Sequence, residues 1–239
     1  MMVNVDTLIA ASDQLNIDLD ERSIDRFILF KELLLEWNKK MNITSITEDV
    51  EVDIKHFIDS ITPLSTGLFD GRKKVIDIGT GGGFPGIPLK IVRGDLDVLL
   101  LDSLNKRIMF LHEVIDRLGL KDIVAIHGRA EELGRKKEYR ENYDIVISRA
   151  VAALNTLAEY CLPFAKVGGH FVSMKGPDIE DELKQARKAI ETLGGRIKDV
   201  EVLTLPFSDI RHSLIVIEKI RETPTRYPRG GGNPKKRPL

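Results

Sequence analysis

Lys74-Val75-Ile76-Asp77-Ile78-Gly79-Thr80-Gly81-Gly82-Gly83-Phe84-Pro85-Gly86 decides the fold. Lys74 to Ile78 reads as a buried strand, and Phe84 to Val92 as a helix. The glycines between them let the backbone turn with positive φ and let a ligand approach without a Cβ in the way. A strand, a glycine turn and a helix N-terminus form a site for a nucleotide-like cofactor. Pro85 suits the first turn of that helix, where its missing N–H costs nothing.

Two fingerprints overlap in this loop. Asp77-x-Gly79-x-Gly81-x-Gly83 has the acidic-x-Gly-x-Gly-x-Gly form of S-adenosylmethionine (SAM) binding. Gly81-x-Gly83-x-x-Gly86 formally matches the dinucleotide pattern. That pattern wants its first glycine directly after the strand, and counted from Gly79 it fails at Phe84. A pyrophosphate gains nothing from an acid in the loop, whereas Asp77 could hold the cationic methionine end of SAM. The loop therefore favours SAM over NAD.

Outward from the loop, strands and helices alternate, which predicts a parallel sheet with helices on both faces. Further strands are expected at Asp97–Leu101, Ile123–His127, Tyr143–Ser148 and His170–Met174. The helix after the second strand takes Ser103 as N-cap and Gly119 as its stop. Another helix covers Leu154–Cys161, and one more carries Ile179, Leu183, Ala186 and Ile190. The last two strands, about Val200–Leu205 and Ser213–Lys219, are a hairpin length apart, so one runs antiparallel. The expected fold is therefore a class I SAM-dependent methyltransferase: Rossmann-like, with a seven-stranded, mostly parallel sheet that ends in an antiparallel hairpin. A plain dinucleotide domain ends in parallel strands.

Residues 1–63 read as a helical extension, 64–220 as the SAM-binding domain and 221–239 as a disordered tail. In the extension, Ile24, Phe27, Phe30, Leu34, Trp37 and Met41 recur on one helical face, and Asp18-x-x-Glu21 resembles a capping box. A second helix is expected from about Glu48 to Ile61. Asn38 to Ile46 between them reads either as a capped connection or as a polar surface near the cofactor. Net charge is −1, but 221–239 holds six Lys/Arg and one Glu, so the tail is +5 and the rest −6. The single Cys161 excludes an internal disulfide and suits a reducing compartment. With no apolar run of spanning length and no signal-like start, a cytoplasmic, monomeric protein away from membranes is expected. The five histidines lack metal spacing, so no metal is expected; His56 with Asp59 and Ser60 is the one to watch.

In such sheets the ligand sits at the carboxyl ends of the strands. Asp77, Gly79, Gly81, Gly83 and Phe84 come from the first end. Asp102 and Ser103 come from the second; Asp102 could take both ribose hydroxyls, or serve only as a second helix cap. At the third, small Ala130 lets adenine lie flat, while Glu131 or a backbone N–H addresses its edge. The fourth end, beside the first, faces the methyl group and decides the substrate. The Asn/Asp-Pro-Pro-aromatic run of amino-group methyltransferases is absent there, and so is a cysteine. Arg149 stands there instead, able to clamp phosphate or a guanine edge, or to pair with an acid of the site. Guanine N7 has a free lone pair and needs no base, so transfer to it is mainly a matter of alignment. Lys106, Arg107, Lys175, Lys235, Lys236 and Arg237 could form an RNA path. On that reading, removing 221–239 weakens RNA binding and spares SAM binding.

These residues resemble the bacterial small-subunit rRNA methyltransferase G family, also called glucose-inhibited division protein B. The matching stretches are Trp37-Asn38 with Asn42-Ile43-Thr44-Ser45-Ile46, His56-Phe57-Ile58-Asp59-Ser60, Asp77 to Gly86, Asp102 to Arg107, Arg129-Ala130-Glu131 and Ser148-Arg149-Ala150-Val151. The resemblance spans about Leu8 to Lys219. It implies methylation of N7 of guanine-527 in the decoding hairpin of 16S rRNA, with the rRNA or small ribosomal subunit as partner. It further implies SAM contacts at Gly79, Phe84, Ala130, Glu131 and Arg149. Ile43, where the family usually has Leu, is a minor departure. Two alternatives stand beside it: a SAM methyltransferase of a small molecule, and a non-enzymatic RNA-binding ribosome-assembly protein on the same fold. A NAD-dependent oxidoreductase would need a substrate domain and a general acid, neither of which is visible.

Overall fold

A computed structural model describes residues 6–149 and 152–239. Ala150 and Val151, part of the fourth-strand motif, lie outside the described residues. In chain order the elements are α1 (Asp6–Gln14), α2 (Glu21–Met41), α3 (Asp49–Val52), a π-helical turn (Asp53–Ile58), α4 (Asp59–Ile61) and a 3₁₀ turn (Thr62–Thr66). Then follow β1 (Lys74–Ile78), α5 (Gly86–Val92), β2 (Asp97–Asp102), α6 (Asn105–Arg117), β3 (Ile123–His127), α7 (Ala130–Leu133) and β4 (Tyr143–Arg149). The chain continues with α8 (Leu154–Cys161), β5 (Ala165–Lys175), α9 (Glu180–Thr192), β6 (Gly195–Thr204), β7 (Arg211–Lys219) and α10 (Asn233–Lys236).

The seven strands form one sheet in the order β3-β2-β1-β4-β5-β7-β6. β1 pairs in parallel with β2 and β4, while β7 is antiparallel to both β5 and β6. The sheet is therefore mostly parallel and closes in the antiparallel hairpin that the spacing of the last two strands implied.

Side-chain alternation along the strands splits the core in two. Val75, Val98, Leu100, Ile145 and Ile147 face α2, α5 and α6, whereas Ile76, Ile78, Leu101, Val146 and Phe171 face α8 and α9. The N-terminal helices are thus part of one sheet-covering layer. Phe27, Phe30 and Phe57 are buried there with Phe84 and Phe110, and Trp37 Nε1 donates to Glu113 of α6 at 3.0 Å. Lys31, 1 % exposed, ties α2 to the next segment through Asp53 (2.7 Å) and Asp49 (3.0 Å).

Three local expectations are corrected. The N-cap of α2 is Asp20, whose side chain accepts from the Ser23 N–H at 2.8 Å, so Asp18-x-x-Glu21 is not the box. Ser103 does not cap α6: the cap position is Leu104, whose N–H is taken by Asp102 at 2.9 Å. The segment 221–239 is not disordered. Thr223, Tyr227, Pro228 and Pro234 are buried, because polar groups of the body meet its backbone and turn it across α8.

Candidate functional site

The loop after β1 is built by its glycines. Gly79, Gly81 and Gly83 have φ of 73°, 60° and 91°, the left-handed region that a side chain resists. Gly86 has no such φ but admits a close approach: a Cβ there would lie 2.3 Å from Leu100 Cδ2. Asp77 is fully buried beneath the loop, and its Oδ2 accepts from Thr80 Oγ1 (2.7 Å) and the Gly86 N–H (2.9 Å). Burial pushes its carboxyl up to about 6. Asp77 Oδ2 therefore braces the loop from within, while its buried Oδ1 has no protein partner.

A cavity of about 500 Å³ opens at the carboxyl ends of β1, β2 and β3. Gly79, Asp102, Ser103, Ala130 and Glu131 line it, as the sequence reading expected; Gly81, Gly83, Phe84 and Arg149 do not. Asp102 and Glu131 are buried carboxylates, 3 % and 7 % exposed. Asp102 Oδ2 accepts from the Gly81 N–H at 2.9 Å and from Arg107 at 3.1 Å. Arg107 is thereby committed to the cavity rather than free for RNA. An apolar floor of Ile78 and Leu101, a glycine backbone and two carboxylates give the cavity a lining whose chemistry suits an adenosine. A comparable cavity at the far end of β3 has one imidazole, His112, already engaged by the Ala125 carbonyl at 2.9 Å.

The fourth strand end assembles a second cluster. Arg149 donates to Asp59 Oδ2 (2.8 Å), Ser60 Oγ (3.3 Å) and the Lys55 carbonyl (3.2 Å). Its guanidinium carbon lies 5.0 Å from the centre of the Phe84 ring, within cation–π range. Phe84 also stacks on His56, with centroids 4.5 Å apart and planes at 11°. The π-helical turn thus turns His56 and Asp59 toward the glycine loop, which places the arginine, the loop aromatic and the His-x-x-Asp-Ser segment together. Of the two readings left open for Arg149, the ion pair with an acid is present.

One residue of this cluster escaped sequence reasoning, while Thr44 comes from the Asn38–Ile46 stretch read as a capped connection or a polar surface. His212, at the start of β7, is hydrogen-bonded through Nδ1 to Asp59 Oδ1, and its buried Nε2 has no protein partner. Burial alone would raise the Asp59 carboxyl, but the His212 hydrogen bond and the Arg149 charge outweigh it and hold it below the usual range. Thr44 Oγ1 lies 2.7 Å from His56 Nε2 and accepts the Ile46 N–H at 3.0 Å. Arg149 can only donate, so the contact at 3.3 Å makes His56 Nδ1 an acceptor and puts the imidazole proton on Nε2, facing Thr44.

Burial and the neighbouring Arg149 push His56 down to about 4. A histidine depressed in the folded state adds stability that is complete above its unfolded pKa of about 6.5 and is lost as pH falls toward 4. His56→Gln should flatten this limb. Between pH 6.5 and 5, urea unfolding should show wild type losing about 2 kcal/mol more than the variant. Equal slopes would mean that His56 is not held neutral. Asp77, raised to about 6, works in the opposite sense over the same range but is common to both proteins.

The remaining basic residues separate. Lys106 is exposed on α6 and Arg237 is exposed near the chain end. Lys175 is 10 % exposed and paired with Glu182 at 2.7 Å, so it is not a free cation. Lys235 and Lys236 are exposed and also line the cavity at the carboxyl ends of β1, β2 and β3. No helix is long and apolar enough to cross a membrane, and no group of three metal-ligating side chains occurs among the described residues.

Solved structures share this plan at low sequence identity. M. jannaschii TYW2, in complex with AdoMet, aligns with TM-score 0.52 and 20 % identity, covering 68 % of this chain and 77 % of that one. TrmN from Thermus thermophilus aligns with TM-score 0.51 and 19 % identity, covering 70 % and 53 %. These likenesses establish the fold. Sequence relatives reach further. The ribosomal RNA small subunit methyltransferase G of Desulforamulus reducens is 53 % identical over 233 residues, 98 % of this chain and 97 % of the relative. That of Acetivibrio thermocellus is 54 % identical over 232 residues, 97 % and 95 %. Residues 23–213 match the sequence model of the rRNA small subunit methyltransferase G family, a stretch that holds the glycine loop, the His56–Ser60 segment and Arg149. With a SAM-type fold, the cavity and near-complete relatives at half identity all in agreement, this chain belongs to the rRNA small subunit methyltransferase G family and is an rRNA methyltransferase.

Proposed function

We propose that the protein transfers the methyl group of SAM to N7 of guanine-527 in the decoding hairpin of 16S rRNA. SAM supplies an electrophilic methyl on a sulfonium. The observation that carries the choice of atom is the state of the side chains around Arg149. His56 is neutral with both ring nitrogens engaged, and Asp59 is divided between Arg149 and His212. These groups are arranged to hold a geometry, not to accept a proton. A nucleophile that already owns a lone pair, such as N7, asks only for orientation and for exclusion of water. Arg149, held over Phe84, can donate to guanine O6 and so orient the base while leaving the N7 lone pair free for the methyl group. Asp102 and Glu131 hold ribose and adenine. Lys106 and Arg237 offer exposed charge to phosphates at the rim.

The test is transfer of labelled methyl from SAM to small subunits and to 16S rRNA from cells lacking this gene, followed by mapping. Label on N7 of guanine-527 is expected. Label on an exocyclic or ring N1 position would overturn the proposal, since such a nucleophile must lose a proton.

A further inference from the structure

The C-terminal segment is fastened to the body by polar groups, one of which, Glu159, would otherwise be buried without a partner. Thr223, 3 % exposed, donates its N–H to Glu141 Oε1 and its hydroxyl to the Leu193 carbonyl, both at 2.7 Å. Its hydroxyl also accepts from fully buried Lys219 at 2.7 Å. Arg140 reaches the Tyr227 carbonyl (2.9 Å) and Arg135 the Pro228 carbonyl (2.7 Å). Glu159 on α8 is completely buried. Both of its oxygens are bound by Arg229, Nε to Oε1 at 2.9 Å and Nη2 to Oε2 at 2.6 Å, and Oε1 also accepts the Arg229 N–H at 2.7 Å.

A buried carboxylate is costly unless paired, and every partner of Glu159 belongs to the segment. The body is thus shaped to receive this strap. Beyond Arg229 the chain turns at Gly232, with φ of 70°, and Pro234 is buried, its carbonyl accepting from Thr156 at 3.2 Å. That turn brings Gly232, Lys235 and Lys236 to the wall of the cofactor cavity, with half-buried Tyr160 beside them.

We infer that residues 230–239 form one wall of the cofactor cavity, so that SAM binding and docking of the strap reinforce each other. Asp102 and Glu131 line the same cavity. When a ligand excludes water there, the two lysine charges add to Arg107 in offsetting the two carboxylates, in a medium where charges interact strongly. Coupling is reciprocal: whatever the strap adds to SAM affinity, SAM adds to strap docking. The inference rests on SAM as occupant and is independent of which nucleotide is methylated.

The first measurement is SAM titration calorimetry on the full chain and on a chain ending at Arg229. That truncation keeps the Thr223, Tyr227 and Arg229 anchors. A loss of about tenfold in affinity is expected. Lys235→Ala with Lys236→Ala should lose part of it, which separates charge from wall. The second measurement needs no variant. SAM at saturation should slow tryptic cleavage after Lys235 and Lys236 of the full chain, read by mass. Wild-type SAM affinity in the truncated chain overturns the wall, and so does cleavage indifferent to SAM; weakened RNA binding alone would make the segment an RNA arm. A truncated chain that fails to fold leaves the cleavage measurement to decide. A full chain that binds no SAM would instead sink the cofactor reading itself.

Discussion

Arg149→Ala is expected to lower methyl transfer to small subunits by about 10²- to 10³-fold. Two separable effects contribute. The first is loss of position: Arg149 is the only described side chain that touches Phe84 of the glycine loop, Asp59 and His56 together. Without it, loop and N-terminal layer still meet through the Phe84 ring, which stacks on His56 and Phe30, but the polar tie from that ring to Asp59 is gone. The second is stability. Asp59 would remain buried with His212 as its one side-chain partner, and breaking a buried pair costs about 3–5 kcal/mol. Arg149→Lys separates the effects. An ammonium still compensates Asp59 but cannot also fork to His56, Ser60 and the Lys55 carbonyl. Most of the melting temperature should return, and little of the transfer. Near wild-type turnover in Arg149→Lys would reduce the arginine to a structural counter-ion.

The contrast between what the residue pattern disclosed and what it hid has physical causes. Ile123–His127 and Leu154–Cys161 fall where periodicity puts them, because each buries one clear face. The glycine loop was legible because left-handed φ at alternate positions admits almost nothing but glycine. His212 was not. A search along the carboxyl ends of strands passes over it, since β7 is antiparallel and presents its amino end to the same edge. Lys175 looked like a free cation until the strand end brought Glu182 to it. The tail misled most. Proline, glycine and lysine predict disorder when a segment must supply its own apolar burial. Here the body supplies polar anchors, and Glu159, Glu141 and Arg140 lie far away in sequence with nothing local to mark them. Asp77 shows the same limit at shorter range. An acid before a glycine loop reads as a ligand, and nothing in the sequence shows that one of its oxygens also holds Thr80 and Gly86.

Asp102→Ala is expected to weaken SAM binding about 100-fold. A carboxylate that takes two ribose hydroxyls makes two charge-assisted hydrogen bonds, each worth about 1.5–3 kcal/mol. Part of this is given up already, because Oδ2 is engaged by Gly81 and Arg107 and Oδ1 by the Leu104 N–H. A net loss of roughly 2–3 kcal/mol remains, which is about two decades in Kd. Asp102→Asn keeps an acceptor for Leu104 but not the charge, and should lose about tenfold. The loop is a confounding factor, since Gly81 is tied to the same carboxylate; the Asn variant, which retains the turn to Leu104, controls for it. Arg107→Ala provides the sharper test. Arg107 competes for the oxygen that a ribose needs, so removing it should leave SAM affinity unchanged or raise it. If the Asp102→Ala protein binds SAM like wild type, the ribose assignment falls. If Arg107→Ala weakens binding as much as Asp102→Ala does, the carboxylate serves to hold the arginine, and the arginine is the group that meets the cofactor.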